Sequence, residues 1–379
     1  MKILIDGIMY SLKKGGGVGR YFNGYLPLLN KIDKRVGVKL FLHPSIKEKF
    51  NLSQKIKTSK IKKIPFLLPN IISETIIKPV NQVILNKYWL KEKGDIFHST
   101  YYTKHPDKDI KQVVTVYDMI HELFPQYFLG RKNDLFRKRK KQIIKSADAV
   151  ICISKSTKRD LLELYKIDRE NIFVVYPGKD KIFKKITNKE VKNRFLEKYK
   201  LDSPFLLYLG PRGHYKNFIS LVKAFSLWSK KDDFKLVTLG GNKFSQKEKE
   251  FIKRIGLKNK VLNFGYVKDK DLVMFYNCCH ALVSPSLIEG FGLPLIEAAS
   301  CSTLVLCSKI PVFKEVIQNG AIYFNPKDVK SIVKALDKSL EEKETMAIIK
   351  KGFKKSKDYS WEKTAAQTLQ IYKRLNKKI

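Results

Sequence analysis

The feature that most constrains the fold is a repeated alternation of short apolar runs with longer amphipathic stretches. The apolar runs form two series, separated by a stretch rich in lysine and asparagine near residues 177–200. The first series comprises residues 2–5, 38–42, 113–117, 149–153 and 172–175, and the second comprises residues 205–209, 235–239, 260–264, 280–283, 303–307 and 321–324. This alternation is typical of parallel strands joined by crossover helices. We therefore predict an α/β protein with two doubly wound parallel sheets.

The length of 379 residues supports two domains, because a single hydrophobic core rarely grows that large. We expect the first domain to span residues 1–180 and the second to span residues 181–360. Ligands of doubly wound sheets bind beyond the carboxyl ends of the strands. With two such domains, the expected pocket is the cleft between them.

Composition excludes several other classes of protein. Asp6 interrupts the first apolar run, and no apolar run approaches the roughly 20 residues of a spanning helix, so we expect no signal peptide and no membrane span. The five cysteines form no CxxC pair, which favours reduced thiols in a cytoplasmic protein. The net charge of +40 has two readings, a lysine-biased proteome or attraction to an anionic membrane or a phosphate-bearing substrate.

The most informative segment is residues 284–298, where a loop follows an apolar strand and Leu293-Pro294 opens a helix. Gly290 and Gly292 permit close approach of the backbone to a ligand, and a helix start supplies unpaired N–H groups. Glu289 precedes the turn, while Glu297 lies about one turn inside the helix. The two carboxylates can therefore contact different parts of one elongated ligand. The alternative is a helix with solvated carboxylates.

A second loop, residues 208–218, directly follows the first strand of the second domain. Arg212 can bind a diphosphate through two parallel hydrogen bonds, and Lys216 can add a point charge. Negative charge accumulates on the diphosphate as it leaves, so both residues should affect rate as well as binding.

Three further segments follow strands of the first domain. Gly16, Gly17 and Gly19 lie in a glycine-rich turn that precedes a helix, where they allow close backbone approach; plain turn chemistry is the alternative. Asp118 or His121, in the segment 115–125, could orient a sugar or an incoming hydroxyl; alternatively Asp118 caps the following turn. The segment 98–102, which begins with His98, could line the acceptor side.

These segments together resemble the retaining family-4 glycosyltransferases, which have the two-domain GT-B fold. The resemblance rests on Glu-x7-Glu at Glu289 and Glu297, on the Arg212–Asn217 loop and on the Gly-Gly-Val-Gly-Arg turn, and it extends over nearly the whole chain. It implies that two Rossmann-like domains face each other across a cleft and that the final helix, residues 361–379, crosses back to the first domain. The first domain would take the acceptor and the second the nucleotide sugar.

The resemblance also implies roles for individual residues. Glu289 would contact the transferred sugar, and Glu297 would bind the ribose hydroxyls. The remaining donor-binding residues would be Gly16, Gly17, Gly19, Arg212, Lys216, Gly290, Phe291, Gly292 and Leu293. The chain departs from the family at Tyr117-Asp118, where His-Asp is common, which leaves the roles of Asp118 and His121 open.

The expected reaction is metal-independent transfer of a hexose with retention of configuration. No cofactor is expected beyond the nucleotide-sugar co-substrate. The Asp107–Asp109 and Asp269–Asp271 pairs are interpreted as caps and not as metal ligands. A GDP-mannose-type donor and a saccharide or lipid-linked saccharide acceptor are favoured. The alternatives are a UDP-sugar donor, a phosphorylase or sucrose-synthase-like enzyme and, outside enzymes, a basic nucleic-acid-binding protein, although no nucleic-acid partner is expected.

The densest basic segment, residues 131–145, is predicted to form a helix. Leu135, Phe136, Ile143 and Ile144 would pack inward, leaving residues 137–141 largely outward. Several basic residues acting together, at about 1 kcal/mol each, could hold the enzyme on the anionic cytoplasmic face of a membrane. A solvated charged helix is the alternative.

Overall fold

The computed structural model describes residues 1–12, 17–42, 57–60, 86–87 and 89–377. Gly16, one of the predicted donor-binding residues, lies outside the described residues. The chain divides into two compact units, the first formed by Met1–Gly178 with Ser360–Ile379 and the second by Lys179–Tyr359.

The first unit is built on a parallel sheet whose described strands have the order β3-β2-β1-β4-β5-β6-β7. These strands are β1 (Lys2–Ile5), β2 (Gly37–Leu42), β3 (Lys57–Lys60), β4 (Ile96–Ser99), β5 (Lys111–Val116), β6 (Ala149–Cys152) and β7 (Ile172–Val174). The reversal of order between β1 and β4 is the topological switch point of a doubly wound sheet.

Helices of the first unit cover the sheet with apolar faces. The described helices are α1 (Met9–Leu12), α2 (Gly17–Ile32), α3 (Ile120–Leu123), α4 (Arg131–Lys145) and α5 (Lys155–Tyr165), with a 3-10 turn at Pro125–Tyr127. Val114 and Val116 of β5 pack with Ile143 and Ile144 of α4 in one buried cluster. The alternation of apolar strands and amphipathic helices in the sequence has its origin in this packing.

The last helix, α14 (Trp361–Asn376), belongs to the first unit and packs against α2. Trp361 lies so close to Gly24 of α2 that a Cβ on Gly24 would be 2.2 Å from the indole ring. Further along α14, the Tyr372 hydroxyl is 2.5 Å from Nδ1 of His98 in β4. The prediction that the final helix returns to the first domain is confirmed.

The second unit repeats the architecture with the strand order β10-β9-β8-β11-β12-β13. Its strands are β8 (Phe205–Leu209), β9 (Lys235–Leu239), β10 (Val261–Gly265), β11 (Ala281–Ser284), β12 (Leu304–Ser308) and β13 (Ile322–Phe324), and every pairing between them is parallel. Here the order reverses between β8 and β11.

The helices of the second unit flank this sheet. They are α6 (Lys189–Lys198), α7 (Phe218–Leu227), α8 (Gln246–Arg254), α9 (Asp269–Cys278), α10 (Leu293–Ser300), α11 (Pro311–Ile317), α12 (Val329–Lys338) and α13 (Glu342–Ser356), with a 3-10 turn at His214–Lys216. Leu206 of β8, Leu221 of α7 and Leu336 of α12 are buried in one cluster. The predicted fold class, two doubly wound parallel sheets, is confirmed.

Candidate active site

The site in the second unit lies at the switch point of its sheet. β8 and β11 are adjacent and parallel, with Leu206 and Leu207 opposite Ala281 and Leu282. Their carboxyl ends therefore point the same way, and the loops that follow them meet beyond the sheet. The main-chain N–H of Leu287 donates to the carbonyl oxygen of Tyr215 at 2.8 Å, which links the two loops directly.

Glu289 and Lys216 come together at this point. Lys216 Nζ is 2.5 Å from Glu289 Oε1, and the Ser286 hydroxyl donates to the same oxygen at 2.7 Å. The side chains of Lys216 and Glu289 are 18% and 16% exposed, so the pair is shielded but reachable from solvent. The two residues lie 73 positions apart in sequence and are brought together by the pairing of β8 with β11.

Asn217 holds the first of these loops in shape. It has φ +56°, in the left-handed region that asparagine tolerates better than most residues. Its side-chain amide donates to the carbonyl oxygens of Pro285 at 3.1 Å and Pro326 at 2.7 Å. The loops after β8, β11 and β13 are thus joined through one side chain.

Glu297 lies apart from this ion pair, inside α10. Its residue is 3% exposed, and Oε2 accepts a hydrogen bond from the Tyr276 hydroxyl of α9 at 3.1 Å. Burial of a carboxylate away from water is costly unless it is hydrogen-bonded. Glu289 is therefore paired with Lys216 at the loop, whereas Glu297 is buried in α10 and accepts a hydrogen bond from Tyr276.

The segment between the glutamates forms the tight approach to α10. Gly292 has φ +102°, and a Cβ there would lie 2.8 Å from the Phe313 ring, so only glycine fits. Gly290 and Phe291 are buried, whereas Leu293 is half-buried. The Phe291 ring packs edge-on against Tyr359 at 5.4 Å between centroids. The ring of Phe291 is therefore part of the packing around the loop.

Arg212 is already engaged within the protein. Its Nε lies 2.7 Å from Glu248 Oε1 in α8, and its side chain is 6% exposed. Nη2 donates to the carbonyl oxygens of Asn242 at 2.8 Å and Lys243 at 3.1 Å. The guanidinium carbon lies 4.7 Å from the centre of the Phe244 ring. Glu248 and Phe244 were not singled out in the sequence, because a helix-capping glutamate and a loop phenylalanine carry no specific signal.

A glycine pair after β9 also borders this loop and was not singled out. Gly240 and Gly241 have φ +78° and +70°, and a Cβ on Gly240 would meet the backbone of Gly210 at 3.4 Å. Gly240 donates to the Gly265 carbonyl oxygen at 2.6 Å. Consecutive glycines directly after an apolar strand were the available signal.

In the first unit, the glycine-rich turn leads into α2, which begins at Gly17. Gly19 lies in its first turn, where a Cβ would be 3.5 Å from the Met9 methyl group, an ordinary contact. The described part of the turn thus places Gly17 and Gly19 at the amino end of a long helix, after β1.

A buried carboxylate, Asp6, organises the switch point of this first sheet. Its oxygens accept from the main-chain N–H groups of Thr100 at 2.9 Å and Ile8 at 3.2 Å, and from the Ser99 hydroxyl at 3.1 Å. The hydroxyls of Thr100 and Thr103 also donate to it. Burial raises the pKa of Asp6, and these hydrogen bonds oppose the rise. Asp6 therefore ties the end of β1 to the end of β4.

Asp118 and His121 lie at the carboxyl end of β5. Asp118 Oδ1 accepts from the main-chain N–H of Ile120, the first residue of α3, at 3.1 Å, and the N-cap position itself is Met119. The His121 ring packs on Phe128 and Phe136, with centroids 4.1 and 4.8 Å apart. Burial lowers the pKa of His121, and the nearby Asp118 opposes this shift. Both side chains are half-buried, which leaves each accessible to a ligand.

The expectation that the segment 98–102 lines the acceptor side is wrong for His98. His98 is a residue of β4 and is fully buried. Nε2 lies 2.8 Å from the Thr115 hydroxyl, and Nδ1 faces the Tyr372 hydroxyl. Burial lowers its pKa to about 3. The residue joins the sheet to the last helix instead.

The expectation that residues 137–141 point outward is wrong for Lys140. Its side chain is 1% exposed, and Nζ lies 2.9 Å from Glu122 Oε2 and 2.7 Å from the Asp118 carbonyl oxygen. Positions 140, 143 and 144 share one face of α4 because they are three and four residues apart. Leu135, expected to pack inward, is 47% exposed.

Within the described residues, no group of three or more His, Cys, Asp or Glu side chains is arranged to hold a metal ion. The main-chain N–H of Asp109 donates to Asp107 Oδ1 at 3.0 Å, and Asp269 and Asp271 lie in the first turn of α9. In the same described part of the chain, no helix has both the length and the apolar character needed to cross a membrane.

Comparison with known proteins agrees with this architecture. The family model for glycosyl transferases group 1 matches residues 189–356, and the model for Glycosyltransferase Family 4 matches residues 26–181. The sucrose-phosphate synthase of Thermosynechococcus elongatus has the same fold, with a TM-score of 0.80 at 18% identity, over 100% of this chain and 99% of that one.

The matches to relatives found by sequence cover less of the chain than the structural match does. The O-antigen chain mannosyltransferase RfbU of Salmonella typhimurium is 33% identical over 232 residues, 61% of this chain and 61% of that protein. The serotype-specific mannosyltransferase WbdA of Escherichia coli is 30% identical over 273 residues, 70% of this chain and 34% of that protein. The chain thus spans less than two thirds of the length of these relatives. The two family matches fall on the two units, and the chain belongs to glycosyltransferase family 4, with a second unit of the group 1 type.

Proposed function

We propose that the protein transfers a hexose from a nucleotide sugar to a saccharide acceptor in glycan biosynthesis, with retention of configuration. The observation that carries the proposal is the meeting of Glu289 with Lys216 at the switch point of the second sheet. In a nucleotide sugar, the sugar hydroxyls lie on one side of the scissile bond and the diphosphate lies on the other. The Glu289 carboxylate can accept hydrogen bonds from the hydroxyls, and the neighbouring Lys216 ammonium can bind the diphosphate.

Lys216 and Arg212 would receive the diphosphate. Negative charge develops on its oxygens as the bond to the anomeric carbon breaks, so fixed cations stabilise the transition state more than the ground state. On donor binding, Lys216 would exchange Glu289 for a phosphate oxygen. These two cations support a mechanism without a metal ion.

Glu289 and Glu297 would divide the donor between them. Freed from Lys216 in part, Glu289 would accept hydrogen bonds from the transferred sugar. Glu297, held at the Tyr276 hydroxyl, would accept from the ribose. The backbone of Gly290, Phe291, Gly292 and Leu293 would line the path between them. Gly17 and Gly19 are proposed as further donor-binding residues.

The transfer step would use the leaving group as the base. The bond from the anomeric carbon to the diphosphate oxygen breaks, and the acceptor oxygen bonds to that carbon from the same face. The acceptor's proton passes to the departing diphosphate oxygen. Asp118 and His121 would orient the acceptor, and the low pKa of His121 favours a neutral imidazole that can accept or donate a hydrogen bond.

The favoured donor is GDP-mannose, since the two relatives described above, RfbU and WbdA, are mannosyltransferases by name. The acceptor would be a growing, lipid-linked saccharide. Incubation with a panel of GDP-, UDP- and ADP-sugars, with release of free nucleotide as the readout, tests the proposal. Release of nucleotide from GDP-mannose supports the proposal. Release from UDP-sugars alone would show that the donor is a UDP-sugar instead of GDP-mannose. If no nucleotide sugar releases nucleotide and a disaccharide is cleaved in a phosphate-dependent reaction, the protein is a phosphorylase and the proposed transfer is wrong.

A membrane surface is proposed as a further partner. Although Lys140 is buried, the exposed Lys138 and Lys141 remain on α4, and Leu129 and Leu135 beside them are 77% and 47% exposed. Sedimentation with anionic and neutral vesicles at low and high salt tests this contact. Binding to anionic vesicles that is lost with salt supports the proposal. Absence of binding to anionic vesicles at low salt would contradict the proposed membrane contact.

A further inference from the structure

We propose that Glu248 is a positioning residue that aims Arg212 at the donor's diphosphate. The inference rests on the proposed function and concerns how the cation of that site is held. Arg212 has five N–H groups, and the protein uses those on one side of the guanidinium. Glu248 determines which side remains for a ligand.

The hydrogen bonds of Arg212 are distributed unevenly. Nε and Nη2 face Glu248 at 2.7 and 3.4 Å, and Nη2 also donates to the Asn242 and Lys243 carbonyl oxygens. Nη1 is buried and has no hydrogen-bond partner among the described residues. An unpaired buried N–H group is costly. Its retention beside a candidate phosphate site indicates that a ligand oxygen is its partner.

The backbone of Gly241 lies beside Nη1. A Cβ on Gly241 would lie 3.3 Å from Nη1, so a side chain there would crowd the nitrogen. Gly210 and Gly213, on the Arg212 loop, have open space where a Cβ would be. Glycines of this kind allow a phosphate oxygen to come close to the backbone and to the unpaired edge of the guanidinium.

Glu248 is itself fixed by the start of α8. Ser245 and Glu248 form a capping box, in which the Ser245 main-chain N–H donates to Glu248 Oε2 at 2.7 Å. Burial raises the pKa of Glu248, but the hydrogen bonds from Arg212 and Ser245, together with the charge of Arg212, outweigh it, so the pKa is lowered. The carboxylate therefore stays charged at neutral pH and immobile. Arg212 is held between this carboxylate and the ring of Phe244.

The arrangement predicts a specific pattern of binding. In Glu248→Ala, Arg212 loses its anchor, so the Kd for UDP or GDP should rise about tenfold or more, as expected for one misdirected charged hydrogen-bond donor. The Kd for uridine or guanosine, which lack phosphate, should stay within about twofold. Glu248→Gln keeps an acceptor and the side-chain length, and should restore most of the diphosphate affinity.

The matched control is Glu250→Ala. Glu250 is exposed on the same helix, and its Oε1 accepts a hydrogen bond from the Gln246 side-chain amide at 2.8 Å. Its variant should bind UDP and GDP like the unmodified protein. Calorimetric titration of all variants, with thermal unfolding to verify folding, provides the comparison.

Coupling between the two residues gives the sharpest test. If Glu248 acts through Arg212, adding Glu248→Ala to Arg212→Ala should change the diphosphate Kd no further. A full additional loss in the double variant overturns the proposal. If Glu248→Ala does not fold, Glu248→Asp substitutes for it, because it keeps the charge and retracts the carboxylate. Undiminished diphosphate affinity in Glu248→Asp also overturns the proposal.

Failure of the proposed function looks different. If the unmodified protein binds no nucleoside diphosphate and transfers no sugar, the function itself is wrong and the positioning role falls with it. If it binds and transfers, while the Glu248 variants match Glu250→Ala, only the positioning role is wrong.

Discussion

Lowering the pH from about 7.5 to about 5.5 should destabilise the first unit by roughly 1.4 kcal/mol through His98 alone. His98 lies in β4 with both ring nitrogens facing hydroxyls, and burial lowers its pKa from 6.5 to about 3. The folded protein therefore keeps this ring neutral, whereas the unfolded chain protonates it as the pH falls through 6.5. Because the unfolded state binds the additional proton, stability is present above that pH and is lost progressively below it, down to about 3.

The magnitude follows from the proton binding of the two states. Between those two pH values, protonation of one histidine in the unfolded chain raises the ratio of unfolded to folded protein about tenfold. RT times the natural logarithm of ten is about 1.4 kcal/mol. The folded state contributes almost nothing, since its pKa lies far below the range.

Denaturant unfolding measures the effect, monitored by tryptophan fluorescence. A Trp228→Phe background leaves Trp89 and Trp361, both in the first unit, as reporters. The comparison is with His98→Gln in the same background, which can still bond Thr115 and Tyr372 but does not titrate. The loss on acidification should be smaller in His98→Gln by about 1.4 kcal/mol. An equal loss in both proteins would show that His98 is not held neutral by burial.

Gly24→Ala should destabilise the first unit by about 1–3 kcal/mol, because its Cβ would lie 2.2 Å from the Trp361 ring. Gly37→Ala, where a Cβ meets nothing within 4 Å, is the control, and equal thermal stability of the two variants would contradict the packing of the last helix. Arg212→Ala and Lys216→Ala should each lose roughly 2–3 kcal/mol of transition-state stabilisation in kcat/KM. Activity should survive EDTA, and loss on chelation with recovery on adding manganese would refute the metal-independent mechanism.

Residues whose position depends on strand order were the most predictable. Apolar runs identified most strands, and a doubly wound sheet brings the ends of β8 and β11 together, so Lys216 and Glu289 could be assigned to one site. β3 escaped detection, and β4 was expected only as a strand before His98 and not among the apolar runs, for local reasons. β3 is Lys-Thr-Ser-Lys, without apolar residues, and β4 carries a histidine and a serine in four positions.

Partners formed between side chains were less predictable. Arg212 was expected to be available for a diphosphate, but Glu248, 36 residues later, holds it. Such pairs depend on rotamers and on loop paths, which no periodicity encodes. Lys140 illustrates the same limit, since a lysine in a basic helix is usually solvated. Its burial depends on the ion pair with Glu122, which offsets the cost of removing the charge from water.

The division of labour between the two glutamates is tested most directly by measuring turnover and nucleotide affinity in parallel. Glu289→Gln should lose turnover by about two orders of magnitude, as on removal of a group that acts in the transition state, while free nucleoside diphosphate binds nearly as before. Glu297→Gln should chiefly weaken nucleotide binding. Equal loss of nucleotide affinity in both variants, or full turnover in Glu289→Gln, would contradict a sugar-transferring site built on Glu289.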